Sequence, residues 1–351
     1  MLNLTLKKNQ SFALDKTESK KVLPNQYKIK VCYTGICASD IPRAFKNGAY
    51  YYPLVLGHEF SGKIVERGEK ASKYKINDFV SVFPLIPSCN NCSSCKKKQY
   101  QLCEQYSYYG SRENGSLSEY LNVNEWNIFK IERKFPIKLA SLFEPISVTY
   151  NIFNRINLKE KKQRILILGG GFLGLILSGI LNFHKFEKVE VLDRNKYRLN
   201  KVPNKKYKKI QKDIGNFESK VKYKYIIDFI GNAESLNNSL SLLDKKGKLV
   251  LAANVYKEVT FSKENLNFIL RKELILEGIW NSTFKTKKNN WKQSNMFIKK
   301  NSNWIKSLIT HEVSLKDAPK LFKNIYLRKK YKKKKFNYIK GIVGINTNEK
   351  N

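Results

Sequence analysis

From Ile165 to Phe183 the chain reads Ile-Leu-Ile-Leu-Gly-Gly-Gly-Phe-Leu-Gly-Leu-Ile-Leu-Ser-Gly-Ile-Leu-Asn-Phe, apolar at almost every position. A membrane-spanning helix needs roughly 20 apolar residues. This stretch is marginal in length, and adjacent glycines break it near its start. The pattern predicts a buried strand over 164–168, a glycine turn, and a buried helix over 172–183. Further apolar runs follow at 188–192, 225–230, 248–253 and 274–280, the third of them after the turn Lys245-Lys246-Gly247. Apolar strands separated by helix-length segments predict a parallel, doubly wound sheet. Before residue 150 the pattern changes. Short alternating runs at 27–33, 60–65, 79–83 and 118–123 lie among Gly and Pro turns, which predicts an antiparallel β domain. A terminal strand is predicted over 338–343, and no internal repeat is visible.

Composition changes this picture little. The 351 residues have room for two domains with their own cores, and an apolar fraction of 42% is ordinary for a globular protein. The net charge of +38 is not ordinary. It fits attraction to polyanions, or a Lys enrichment that runs through the whole chain. The excess is spread over nearly every segment rather than collected in one stripe, which favours the second. Its densest run, Arg328 to Lys335, is expected to be a solvated loop. The opening Met1 to Lys8 lacks the long apolar core of a secretory signal, so a cytoplasmic protein is expected.

Two motifs carry chemistry. Cys89, Cys92, Cys95 and Cys103 repeat every third residue and then close after a short excursion. Thiolates so spaced can converge on one ion, and Zn²⁺ favours a closed tetrahedral Cys₄ cage as a structural site. Paired disulfides are the other reading, but nothing else points to an oxidising compartment. Gly169-x-Gly171-x-x-Gly174 lies between the predicted strand and helix. There it permits a tight turn, close approach to a pyrophosphate, and helix-on-strand packing; the turn with Phe172 and Leu173 forms the helix N-terminus. The next strand ends in Asp193, near the spacing at which an acid meets the ribose hydroxyls and repels a 2′-phosphate. That favours NAD, although the adjacent Arg194 softens the preference and Asp193 could be only a strand-end cap. Arg198 follows as a further cofactor-binding candidate.

Three more segments stand in order: Gly35-Ile36-Cys37-Ala38-Ser39-Asp40, Gly57-His58-Glu59 and Glu144-Pro145. With the cysteine lobe and the glycine turn, they resemble the zinc-dependent medium-chain dehydrogenases over nearly the whole chain. Within that family, Asp40 to Pro53, Tyr109-Gly110-Ser111-Arg112 and Arg271-Lys272-Glu273-Leu274 through Ser282 are similar to the hexitol-phosphate enzymes. The resemblance implies an α/β fold: an antiparallel β-rich catalytic domain with a Cys₄ zinc lobe (1–150 and 286–351), and a doubly wound, parallel-sheet NAD domain (151–285). It implies two zinc ions per chain, one structural and one held by Cys37, His58 and Glu144. Glu59 alternates with Glu144 as ligand or acts on the bound water, and Ser39 hands off the hydroxyl proton. The reaction implied is NAD-dependent oxidation of a phosphorylated hexitol, with Arg43, Lys46 and Arg112 as candidates for its phosphate. An unphosphorylated polyol or a pentitol phosphate is the alternative substrate. A non-catalytic nucleic-acid-binding protein is the alternative of another class, against which the intact motifs argue. The expected partner is thus a small phosphorylated polyol, with neither nucleic acid nor membrane, in a homo-oligomer. Ala38 stands where the family has Gly, residues 201–224 match its usual elements poorly, and 328–335 read as an insertion.

Overall fold

The computed structural model describes residues 1–87, 89–156, 161–287, 289–331 and 336–347. The chain divides into two units, Met1–Ser147 with Thr283–Asn351, and Val148–Ser282.

The second unit holds a six-stranded sheet in the order Lys208–Ile210, Val189–Leu192, Ile165–Leu168, Tyr223–Asp228, Leu243–Leu251, Ile275–Gly278, with every neighbour parallel. Numbered along the chain, that is the 3-2-1-4-5-6 order of doubly wound nucleotide-binding folds. Ile165–Leu168 is buried at every position, as a central strand covered on both faces must be. The helix Phe172–Phe183 follows it after the glycine turn. The Lys245-Lys246-Gly247 turn is accommodated inside a strand. The register jumps from Tyr223 opposite Leu243 to Tyr225 opposite Lys248, and Lys246 takes a positive φ of 54°. The poorly patterned 201–224 stretch contains the edge strand Lys208–Ile210, which pairs through its backbone while two of its three side chains are lysines.

The first unit is built on a seven-stranded sheet. Ile128–Lys130, Phe79–Val82, Glu59–Arg67, Gln26–Ile36, Lys340–Gly344 and Ile309–Ser314 lie in that order, and Tyr120–Asn124 also pairs with Gln26–Ile36. All pairs are antiparallel except the last, where Ile309–Ser314 runs parallel to Lys340–Gly344. Tyr27, Ile29, Val31, Phe60, Val80 and Val123 fill one core beneath it. A second core joins Leu4, Leu6, Phe45 and Leu54 to Leu321, Phe322 and Ile325 of the helix Ala318–Tyr331. That helix corrects the expectation of a loop over Arg328 to Tyr331. Its buried apolar face carries the chain in helical form through Tyr331, and the Arg328 guanidinium donates to the Tyr338 carbonyl at 3.1 Å. The rest of that run, 332–335, lies outside the described residues. No helix among the described residues is long and apolar enough to cross a membrane.

Candidate active site

The four lobe cysteines come together on a turn, a single helical turn and a short excursion. Cys92 caps the segment Ser93–Lys96, and its Sγ accepts from the Cys95 backbone N–H at 3.4 Å. Cys89 Sγ lies 3.7 Å from Cys95 Sγ and 3.4 Å from Cys103 Sγ, far beyond the ~2.05 Å of a disulfide. All four ligand atoms lie within 4.8 Å of one another. The backbone N–H groups of Cys92 and Asn91 pull the Cys89 thiol down to about 6, whereas burial pushes Cys95 up to about 12. Left to themselves these thiols do not all ionise. A closed set of four soft donors suits a zinc ion that would hold them as thiolates.

The second cluster is assembled from distant segments. The strand Gln26–Ile36 ends one residue before Cys37, and its antiparallel neighbour Glu59–Arg67 begins one residue after His58. Gly35 pairs with Glu59, and a Cβ at Gly35 would fall on the Glu59 carboxylate, so glycine leaves that carboxylate its room. The ligand atoms of Cys37, His58 and Glu59 lie within 4.8 Å of one another. One thiol, one imidazole and one carboxylate make a donor set that fits an open zinc site.

Glu144 is not in that set, which differs from the ligand trio named from the sequence. The Tyr108 hydroxyl donates to Glu144 Oε1 at 3.2 Å and holds the carboxylate there. Burial, with Glu59 adding to it, raises the Glu144 carboxyl to about 7 against the opposing charges of His58 and Lys340. Glu59 faces a cation instead. Lys340, buried at 3% exposure, pairs with its Oε2 and donates to the Ile36 carbonyl at 3.1 Å.

Asp40 anchors the other side. Fully buried, it accepts from the Cys37 backbone N–H at 3.0 Å and from Arg43 Nη1 at 3.3 Å, and it lies 3.4 Å from His58 Nδ1. Burial alone would lower the His58 pKa; the charges of Asp40 and Cys37 outweigh it and raise the imidazole well above its ordinary range. Asp40 goes the other way, as His58 and Arg43 overcome its burial and lower it. Ser39 Oγ donates to Cys37 Sγ at 3.3 Å and accepts from Arg43 Nη1 at 3.0 Å. Asp40, Tyr108 and Lys340 had not been singled out as site residues. Asp40 lay inside a motif already quoted. Lys340 carried one faint signal, a charge within an otherwise apolar strand.

The three candidate cations lie in different settings. Arg43 is folded back onto Asp40 and Ser39, with 18% of its side chain exposed. Lys46 is exposed at the end of the short helix Asp40–Phe45. The Arg112 guanidinium lies over the Tyr106 ring and over the Tyr50 ring.

In the second unit, Gly169 takes a φ of +98°, and a Cβ on Gly174 would collide with the Gly169 carbonyl, so both need glycine. Gly171 caps the helix that continues through Phe172, Leu173 and Gly174, and a Cβ there would meet only Arg198 Nη1, at 4.0 Å. That space at a helix N-terminus fits a pyrophosphate. Asp193 Oδ2 accepts from the Gly170 N–H at 2.8 Å and lies 3.4 Å from Arg198 Nη1, while Oδ1 accepts from the Asn195 N–H at 2.7 Å. A carboxylate has about four acceptor positions, so capacity remains for a ribose hydroxyl. Arg194 turns to Asp213 at 3.1 Å instead. Of the other histidines, His184 packs in stacked contact with Phe153 at 4.5 Å, and His311 lies 3.0 Å from the Thr310 hydroxyl.

Residues 23–133 match the family model described as the alcohol dehydrogenase GroES-like domain, and residues 182–300 match the model described as zinc-binding dehydrogenase. The chain belongs to the zinc-dependent medium-chain dehydrogenases, oxidoreductases that act on the CH–OH groups of alcohols and polyols with zinc and NAD(P). Among its relatives, galactitol 1-phosphate 5-dehydrogenase of Escherichia coli (strain K12) is 26% identical over 310 residues, 86% of this chain and 89% of that one. D-arabitol-phosphate dehydrogenase of Enterococcus avium is 39% identical over 155 residues, 43% of this chain and 44% of that one. The crystal structure of galactitol-1-phosphate dehydrogenase from Escherichia coli superposes with a TM-score of 0.88 at 24% identity, covering 98% of this chain and 99% of the other, and so shares the fold.

Proposed function

We propose that this chain oxidises a phosphorylated hexitol with NAD, converting galactitol 1-phosphate to tagatose 6-phosphate. The observation that carries the reading is the near full-length likeness to the galactitol 1-phosphate enzyme. The likeness over 43% of the chain to a second phosphorylated-polyol dehydrogenase supports it. Residues 1–150 and 286–351 act as the catalytic domain and 151–285 as the NAD domain, in a cytoplasmic homo-oligomer.

Cys89, Cys92, Cys95 and Cys103 hold the structural ion. Cys37 and His58 hold the catalytic one, with Glu59 or Glu144 as the carboxylate. Zinc there supplies Lewis acidity that lowers the pKa of a substrate hydroxyl. Ser39, hydrogen-bonded beside Cys37, would relay the hydroxyl proton, accepting it as its own proton passes to water or to Glu59. Asp40 fixes the Cys37 backbone and faces the His58 ring. Glu144 is held by the Tyr108 phenol, which donates to its Oε1. Asp193 accepts from the adenosine ribose and excludes a 2′-phosphate.

The test is kcat/KM for galactitol 1-phosphate and for free galactitol, each with NAD and NADP, with the ketose phosphate identified as product. A preference for the phosphorylated hexitol and for NAD is expected, with Asp193→Ala narrowing the cofactor gap. Comparable wild-type rates on free galactitol would return the enzyme to the general polyol dehydrogenases. A wild-type preference for NADP would remove the role given to Asp193.

A further inference from the structure

The name of the Escherichia coli relative places phosphate on carbon 1 and oxidation at carbon 5. On the reading above, therefore, the phosphate docks apart from the catalytic cluster, across most of the carbon chain. Arg43 is poorly placed for that task. Its Nη1 contacts Ser39 and Asp40, and the buried Asp40 carboxylate already balances its charge.

A line of aromatic rings leads away from the cluster. Tyr108 meets the His58 ring edge-on at 5.7 Å, and Tyr106 meets Tyr108 edge-on at 6.4 Å. The Arg112 guanidinium lies over the Tyr106 ring at 4.2 Å and over the Tyr50 ring at 5.0 Å. Its Nη1 donates to the Tyr106 carbonyl at 2.7 Å, and its Nη2 lies 3.5 Å from the Tyr50 hydroxyl. A guanidinium carries five N–H donors, so these contacts leave others to spend. Among the described residues no carboxylate pairs with Arg112, in contrast to Arg43. The cation is thus held in place by ring faces and one carbonyl, and its charge is not neutralised. A planar fork fixed in advance loses little entropy when it meets an oxyanion.

We propose that Arg112, held over the rings of Tyr106 and Tyr50, is the docking site for the substrate's phosphate monoester, and that the Tyr50 phenol caps it in the free enzyme. This rests on the phosphorylated-hexitol reading. Phosphate oxygens take the fork of Arg112 and displace the long Tyr50 hydroxyl contact, while the Tyr106 ring keeps the guanidinium in plane. Arg43 is then a positioning residue for Ser39 and Asp40, felt by every substrate.

The experiment compares wild type, Arg112→Ala, Arg112→Lys and Arg43→Ala as intact zinc-loaded enzymes. It measures kcat/KM on galactitol 1-phosphate and on free galactitol, together with the thermal shift produced by inorganic phosphate. Arg112→Ala is expected to lose roughly 10- to 150-fold more on the phosphorylated substrate than on the free one, the range of one charge-assisted contact. Arg112→Lys, which keeps charge but not the fork, should recover part of that difference. Inorganic phosphate should raise the melting temperature of wild type and lose that effect in Arg112→Ala. Arg43→Ala should lose similar factors on both substrates. A phosphate-selective loss in Arg43→Ala, or equal losses on both substrates in Arg112→Ala, would overturn the assignment. If Arg112→Ala fails to fold, Arg112→Lys with the full phosphate selectivity and thermal shift of wild type overturns it as well. A wild type without preference for the phosphorylated substrate defeats the parent reading instead, so the two failures are told apart.

Discussion

The two cysteine-bearing clusters reach a similar donor density by opposite routes. The lobe takes all four thiols from a 15-residue segment, Cys89 to Cys103, and its internal polar contacts are to its own backbone and sulfurs. The Cys37, His58 and Glu59 cluster takes its members from the adjoining ends of two neighbouring strands. It adds counter-groups from elsewhere: Asp40, Lys340 on a strand 281 residues from Glu59, and Tyr108 beside Glu144. The lobe offers four like donors and needs an ion to hold them. The Cys37, His58 and Glu59 cluster brings its own compensating charges, so the protein around it should stand without one. Stability should therefore depend on the lobe's ion and activity on the other.

The largest expected effect breaks the lobe. Wild type should carry two zinc ions per chain. Structural zinc contributes about 10 kcal/mol or more in small zinc domains, on the scale of a whole domain's stability. Cys92→Ser is therefore expected to unfold most of the first unit, seen as lost ellipticity and one fewer zinc by elemental analysis. Cys37→Ser should lose one zinc and more than ~100-fold in turnover, beyond what outer-sphere partners contribute, and remain folded. Equal melting temperatures for Cys92→Ser and wild type would erase the contrast.

A smaller effect probes the compensating charges. Lys340→Met leaves Glu59 buried without its cation, and breaking a buried ion pair costs about 3–5 kcal/mol. Urea denaturation should show that loss, and Lys340→Met with Glu59→Gln should recover most of it. An undiminished midpoint in the single variant would mean that the pair is not part of what holds the cluster.

The smallest effect separates two histidines. Burial, aided by Lys161, lowers the pKa of His184, so below 6.5 the unfolded chain takes up its proton first. The stability contributed by neutral His184 is complete above 6.5 and is lost as pH falls through the lower folded value. His58, raised in the metal-free protein, has the opposite sign: its contribution is complete below 6.5 and fades as pH rises through the higher folded value. Melting temperatures between pH 7.5 and 5 should fall less steeply in His184→Phe than in wild type. An unchanged slope would remove His184 from the acid response.

The same contrast explains what the sequence could disclose. The lobe was legible because ligand spacing in a tight segment is itself geometry. Five of the six parallel strands were legible as apolar runs; the pairing of the sixth, Lys208–Ile210, is made by backbone atoms with no side-chain signature. The catalytic cluster was legible only by resemblance, since no periodicity joins residue 37 to 58 or 144. Which carboxylate stands beside Cys37 and His58 could not be read at all. That depends on Tyr108 holding Glu144 and on Lys340 facing Glu59, both set by tertiary contacts. The helix through Tyr331 was missed because a run of basic residues resembles a loop until the apolar face ahead of it is seen to be buried.

Lys340–Gly344 lies inside its sheet, between Gln26–Ile36 and Ile309–Ser314, and not at an edge. During synthesis the ribosome delivers Cys37, His58 and Glu59 some 280 residues before it delivers the strand that carries their balancing cation. Until then Gln26–Ile36 exposes an unpaired flank, and Glu59 faces it with no opposite charge. A chain ending before Lys340 would carry Cys37, His58 and Glu59 without the strand that closes their sheet or the cation that faces Glu59.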